Sequence, residues 1–165
     1  MILSHTFEEF AGMVRAFHGS AAPGIMIGGS MVDLALRCVP EGGLYDVICE
    51  TAKCLPDAVQ LLTPCSIGNG WLRILDTGRF SLAFYDKVTG KGVRVFIDPA
   101  KLDAWPQIKS WFLKLTPKKE QDTARLMKEI EEAGSDICSV ESIQVSLDLV
   151  KKEKGGPIAL CPSCG

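Results

Sequence analysis

The sequence predicts an α+β fold: an antiparallel sheet packed with helices, followed by a small C-terminal zinc-knuckle-like tail. Three observations carry this. Apolar residues recur at helical spacing near the N-terminus, at Phe7, Phe10, Ala11, Val14 and Phe17. Apolar and polar residues alternate in Arg79–Tyr85 and Gly92–Ile97, beside turn glycines. The final residues, Cys161-Pro-Ser-Cys164-Gly165, set two thiols at the spacing that chelates one metal ion.

The elements follow in order. Thr6 with Glu9 forms a capping box that opens a helix through Phe17, and His18-Gly19 ends it. Pro23 starts a second helix through about Arg37. Its glycines, Gly24, Gly28 and Gly29, cost helix propensity, so their use is close approach of another backbone. This geometry places the His18 imidazole at the N-terminal end of the second helix. Tyr45–Thr51 reads as a strand. Trp71–Leu75, Phe80–Lys87 and Lys91–Asp98 read as three more, joined by short turns and therefore as antiparallel hairpins. Pro99 leads a helix through Leu115, Thr116-Pro117 caps another through Ala133, and Ile137–Leu147 is the last strand. Residues 1–150 form the core domain; 151–165 form a polar linker and a partial zinc-finger knuckle.

The chain is organised around Glu50–Gly70, where Cys54 and Cys65 flank a short apolar helix candidate. Pro56 suits its first turn, Asp57 opposes the positive end of its dipole, and Pro64 stops it. A thiol at each end of one rigid element is expected to face a common cleft, to which the preceding helices add His18. Asp57 reads either as a first-turn carboxylate or as the group that orients His18, and Gln60 lies one turn on. Cys38, Cys49 and Cys138 read as small packed hydrophobes.

The totals exclude several functions. The 165 residues carry a net charge of -2, which gives no electrostatic case for nucleic acid. The one basic cluster is Lys151, Lys152 and Lys154 in the linker. No apolar run reaches membrane-spanning length, and Met1-Ile-Leu-Ser-His5 lacks the basic region of a signal peptide. Seven cysteines, an odd number without dense spacing, point to a cytoplasmic protein with free thiols, some of them metal ligands.

Three stretches then resemble one family. Phe17-His-Gly-Ser-Ala-Ala-Pro-Gly24 is similar to the Phe-His-Gly-His-x-Cys-Pro-Gly signature of the FmdE family, named for the E component of formylmethanofuran dehydrogenase. Cys54–Gly70 resembles its Cys-x-x-Asp-x-Ile-Gln and Thr-Gly-Cys-Thr-x-Gly run, and Phe84–Val95 resembles its Thr-Gly-Lys and Val-Arg-Val hairpin. Cys161-x-x-Cys164-Gly resembles the first half of the four-cysteine zinc finger that many members append. The resemblance implies an α+β core with a metal-binding cleft, often in an intertwined homodimer. It does not imply dehydrogenase chemistry, because FmdE does not hold the pterin. Ser20 and Ala22 stand where the family has its second histidine and its cysteine.

What remains is His18, Cys54 and Cys65, enough for a three-ligand site with one open position for zinc or another divalent transition metal. Cys161 and Cys164 supply only two of the four ligands of a structural site. A continuing chain, a second knuckle across a dimer, or Cys138 with another group would complete them. The leading function is a metal-binding accessory protein whose tail serves assembly or contact with a protein partner. The alternatives are a thiol-dependent cleft enzyme, with Cys54 or Cys65 as nucleophile and His18 as base, and a metal-sensing adaptor acting through its zinc finger.

Overall fold

In the computed structural model, which describes residues 1–151 and 159–164, five α-helices and one five-stranded sheet form an α+β fold. The helices are α1 (Phe7–His18), α2 (Pro23–Cys38), α3 (Leu55–Leu62), α4 (Pro106–Phe112) and α5 (Thr123–Ala133). The strands are β1 (Tyr45–Cys49), β2 (Leu72–Ile74), β3 (Ser81–Asp86), β4 (Lys91–Ile97) and β5 (Cys138–Gln144), in spatial order β2-β1-β3-β4-β5. Most of the expected linker, residues 152–158, lies outside the described residues.

The N-terminal half folds as its local signals direct. Thr6 Oγ1 accepts from Glu9 N while Glu9 Oε2 accepts from Thr6 N, the reciprocal capping box. Gly19, at φ 89°, closes α1 with a bond from its N–H to Arg15 O. The glycines of α2 serve close packing, though against side chains rather than a bare backbone. A Cβ at Gly28 would lie 2.8 Å from Ala58 Cβ, and one at Gly29 would run into the Phe10 ring. These two positions seat α3 and α1 against α2.

Cross-strand rows split the sheet into two faces. Val47, Phe84 and Val93 form one row and Cys49, Leu82 and Val95 the next, all in the core with α2 and α3. The alternate rows, Asp46–Tyr85–Gly92 and Ile48–Ala83–Arg94–Glu141, lie on the opposite face. Asp86 fixes the β3–β4 turn by accepting from Val88 N and Thr89 N, and its N–H partners hold its carboxyl below the usual range.

Three expectations need correction. The sheet is not wholly antiparallel: β2 pairs in parallel with β1, not in a hairpin with β3. The segment after β1 contains α3, so β1-α3-β2 is a helical crossover of the kind parallel neighbours require. The helix expected from Pro99 to Leu115 is broken. A 3-10 turn at Pro99–Lys101, capped by Asp98, precedes α4, because Pro106 offers no N–H and drives Trp105 out of helical geometry. Likewise Thr116-Pro117 does not cap α5. Pro117 precedes a 3-10 turn at Lys118–Glu120, and Asp122 caps α5 by accepting from Arg125 N.

Candidate functional site at the two ends of α3

Cys54 precedes α3 at φ 60° and ψ -53°. Leu55 N donates to Lys53 O at 2.6 Å, so Cys54 is the central residue of a γ-turn of the rare positive-φ type. A non-glycine residue held there stores backbone strain, about 1–3 kcal/mol. The neighbour that permits it is Gly24 in the first turn of α2: a Cβ there would lie 2.9 Å from Cys54 Cβ and 3.0 Å from Sγ. The thiol is half-buried, and desolvation raises its pKa, aided by Asp57 and opposed by Lys118 and Lys53.

Asp57, in the first turn of α3, accepts from His18 Nδ1 at 2.8 Å. A carboxylate only accepts, so Nδ1 carries a proton and, in the neutral imidazole, Nε2 keeps the free lone pair. Asp57 is thus both a first-turn carboxylate of α3 and a hydrogen-bond partner of His18. His18 itself is the last residue of α1, and its side chain reaches the start of α3 rather than the start of α2. Gln60 turns elsewhere: its Oε1 accepts from Ile67 N at 3.3 Å and braces the following loop.

Cys65 lies beyond the other end of α3 and is 3% exposed. Its Sγ donates to Tyr45 O at 3.5 Å, and burial raises its pKa. Asn69 folds the loop around it, its Oδ1 accepting from Ser66 N and Trp71 N and its Nδ2 donating to Pro64 O. Of the other cysteines, Cys49 and Cys138 are buried as expected, and burial pushes both thiols up to about 12. Cys38 is exposed at the end of α2, not packed.

The large cleft of the molecule, about 1560 Å³, opens on the Cys54 side. Ser20, Ala22 and Gly24 form one rim with Cys54, and Phe80, Phe96, Trp111 and Phe112 form an aromatic wall. The Phe80 and Trp111 rings meet edge to face with centroids 6.3 Å apart. Neither His18 nor Cys65 lines it. The structure therefore brings His18, Asp57 and Cys54 to one end of α3 and leaves Cys65 at the other. Among the described residues, no three of His, Cys, Asp and Glu converge as a ready metal cage.

Sequence reasoning passed over the charges of this cleft. Arg94 on β4 donates from Nη2 to Glu50 Oε2 at 3.0 Å and also from Nε to Oε1, and Ser81 Oγ donates to the same carboxylate. The Arg94 bonds hold Glu50 below the usual carboxylate range. Lys53 stands next to Cys54, and Lys118 lies in the 3-10 turn ahead of α5. The period-two register alone could have paired Arg94 with Glu141, since the two are cross-strand neighbours.

In the tail, Cys161 and Cys164 are exposed at a turn. Cys161 Sγ accepts from Ser163 N at 3.4 Å. That bond, with those from Cys164, lowers the Cys161 pKa. N–H groups aimed at sulfur favour the thiolate, the form that binds metal.

Comparison with known proteins places the fold. A solved structure, that of a tungsten formylmethanofuran dehydrogenase FmdE-like protein from Syntrophus aciditrophicus, is 54% identical, with a TM-score of 0.91. The match covers 99% of this chain and 86% of that one. A probable S-adenosyl-L-methionine-binding protein of Archaeoglobus fulgidus is 27% identical over 92% of this chain, which spans 46% of that relative's length. Residues 17–145 match the family described as FmdE, Molybdenum formylmethanofuran dehydrogenase operon, and the chain belongs to that family.

Proposed function

We propose that this chain is an accessory protein of the FmdE kind that binds a divalent transition metal, zinc, beside its cleft through His18 and Cys54. The observation that carries the reading is the Asp57–His18 bond. It fixes the ring and leaves Nε2 as the donor, the arrangement that supports histidine ligands in metal sites. The donors fit a zinc-type ion in chemistry, one imidazole and one thiol, but they are two. Ser20 and Ala22 add neither imidazole nor thiol, and Cys65 is engaged with Tyr45 O. The rest of the shell falls to water or to a ligand brought into the cleft, which suits an open Lewis-acid site better than a closed structural one. Bound there, the ion supplies polarisation of a ligand oxygen. The chain's own part is to orient His18 through Asp57 and to seat Cys54 over Gly24.

The raised Cys54 and Cys65 pKa values count against a thiol nucleophile in the metal-free chain, and an ion bound at Cys54 would displace its thiol proton. The tail takes the second metal role, as an assembly or partner-contact knuckle. Its lowered Cys161 thiol supports that, and a second copy of the chain is the source we propose for the two missing ligands. The described cysteines form no disulfide, and we propose a reducing, cytoplasmic setting. Among those residues no helix is long and apolar enough to cross a membrane.

The test is elemental analysis of the full chain carrying Cys161→Ser and Cys164→Ser, which silences the tail. One ion per chain, lost on adding His18→Ala, supports the core site. An ion content near zero before that change overturns it.

A further inference from the structure

The cleft carries a charge pattern that metal binding does not use. Five cationic side chains line it against two carboxylates, Asp76 and Glu141, in a chain whose net charge is -2. Arg94 is committed to Glu50 and Glu141, and Arg79 lies 4.0 Å from Glu50. Lys53, Lys114 and Lys118 form no ion pair among the described residues. Lys53 is next to Cys54 in sequence, Lys114 and Lys118 lie on the segment between α4 and α5, and both Lys53 and Lys118 act on the Cys54 thiol. Phe80, Trp111 and Phe112 line the same cleft.

Cations concentrated at one mouth focus field and attract anions. An aromatic wall rewards a flat apolar body, by contact and by stacking. Ligand sites are commonly clefts of roughly 300–1,000 Å³, and this one exceeds that range, so size does not limit it to a bare ion. We propose that the cleft is a binding site for a small organic anion that has a flat apolar part, its charge held between Lys53 and Lys118 and its apolar part against Phe80 and Trp111. The site stands on the lysines and aromatic rings and needs no metal ion.

The probe is 1-anilinonaphthalene-8-sulfonate, with N-phenyl-1-naphthylamine as the uncharged counterpart of the same shape. Both are titrated by fluorescence into the full chain. The expected result is one saturable site for the sulfonate, weakened at least tenfold by Lys53→Glu with Lys118→Glu. The remote pair Lys91→Glu with Lys128→Glu changes net charge equally and should weaken it less than twofold. The uncharged probe should respond to neither pair. Circular dichroism checks that the exposed lysine variants fold, and Lys53→Gln with Lys118→Gln gives an intermediate loss if the charges act directly. Equal weakening by both pairs, or by neither, overturns the proposal, as does equal capture of the uncharged probe. Displacement of the sulfonate by millimolar inorganic phosphate reduces the site to a bare anion site and overturns the apolar half. The same sulfonate affinity in the chelator-treated, metal-free chain separates this proposal from the metal reading, and loss of sulfonate binding on chelation overturns it.

Discussion

The two ends of α3 each have a cysteine, and the fold has given them opposite surroundings. Cys65 is sealed behind the Asn69 turn with its S–H spent on Tyr45 O. Cys54 is half-buried, held at positive φ, and set between a glycine, an oriented histidine pair and an open cleft. The same residue type thus serves packing at one end and, in the proposed function, metal binding at the other. The difference comes from backbone and neighbours: Gly24 makes room for Cys54, whereas the loop past Pro64 closes over Cys65.

The seam that sets both ends is the place to break the contrast most severely. Gly28→Val drives atoms into Ala58 and Leu55, and overpacking of this kind costs about 3 kcal/mol. Thermal unfolding should show the loss, and Gly28→Ala combined with Ala58→Gly should recover most of it. A Gly28→Val protein as stable as the parent would mean that the α2–α3 seam does not fix the site.

Alkaline pH sharpens the contrast between sealed and accessible thiols. Cys49 and Cys138 are raised to about 12, so the folded chain holds protons that the unfolded chain releases above the ordinary thiol range. Their contribution is complete below an unfolded pKa near 9. It falls as pH rises toward 12, by up to about 1.4 kcal/mol per pH unit for each thiol. Urea unfolding at pH 8 and pH 10 reads this loss, and Cys138→Ala should flatten the slope. A slope unchanged by that variant would show that burial of this thiol does not set it.

Serine scanning compares the two ends directly. Cys65→Ser should cost about 1–2 kcal/mol, because a sealed thiol becomes a more strongly hydrated hydroxyl. Cys54→Ser should cost less, under about 1 kcal/mol, because this thiol is only half-buried. Cys54→Gly should be at least as stable as the parent, since removing positive-φ strain offsets the entropy of an added glycine. Chemical denaturation checks all three, and a Cys54→Gly protein weaker than Cys65→Ser would reverse the assignment of strain.

The smallest effect on stability belongs to Asp57→Asn. The His18–Asp57 pair is 37% and 26% exposed, so its loss should cost no more than about 0.5 kcal/mol. Zinc affinity should nonetheless fall about tenfold or more, as it does when a carboxylate behind a histidine ligand is removed. Competition with a chromophoric chelator measures this, and unchanged affinity would leave the pair a surface contact.

Much of the architecture was legible because its causes are local. The capping box at Thr6, Pro23 and Pro56 in first turns and the Asp86 turn are each settled within a few residues. The parallel β1–β2 pair was not, because a short connection from β2 to β3 looks the same whether or not β1 enters between them. The break at Pro106 was readable from its lack of an N–H but was outvoted by the apolar spacing through Trp105 and Ile108. In the site, the sequence left Asp57 open between a first-turn carboxylate and a partner of His18, and the contact with His18 exists. That Cys65 faces away from Cys54 depends on which side of α3 the chain leaves after Pro64. The cationic mouth joins lysines distant in sequence, and no local pattern links Lys53 to Lys118.

The most direct test of the contrast between the two ends is metal content in the full chain with Cys161→Ser and Cys164→Ser, comparing Cys54→Ser with Cys65→Ser by elemental analysis. The account predicts that the Cys54 variant loses its ion and the Cys65 variant keeps it. Loss in the Cys65 variant alone would contradict it and place the metal at the sealed end of α3.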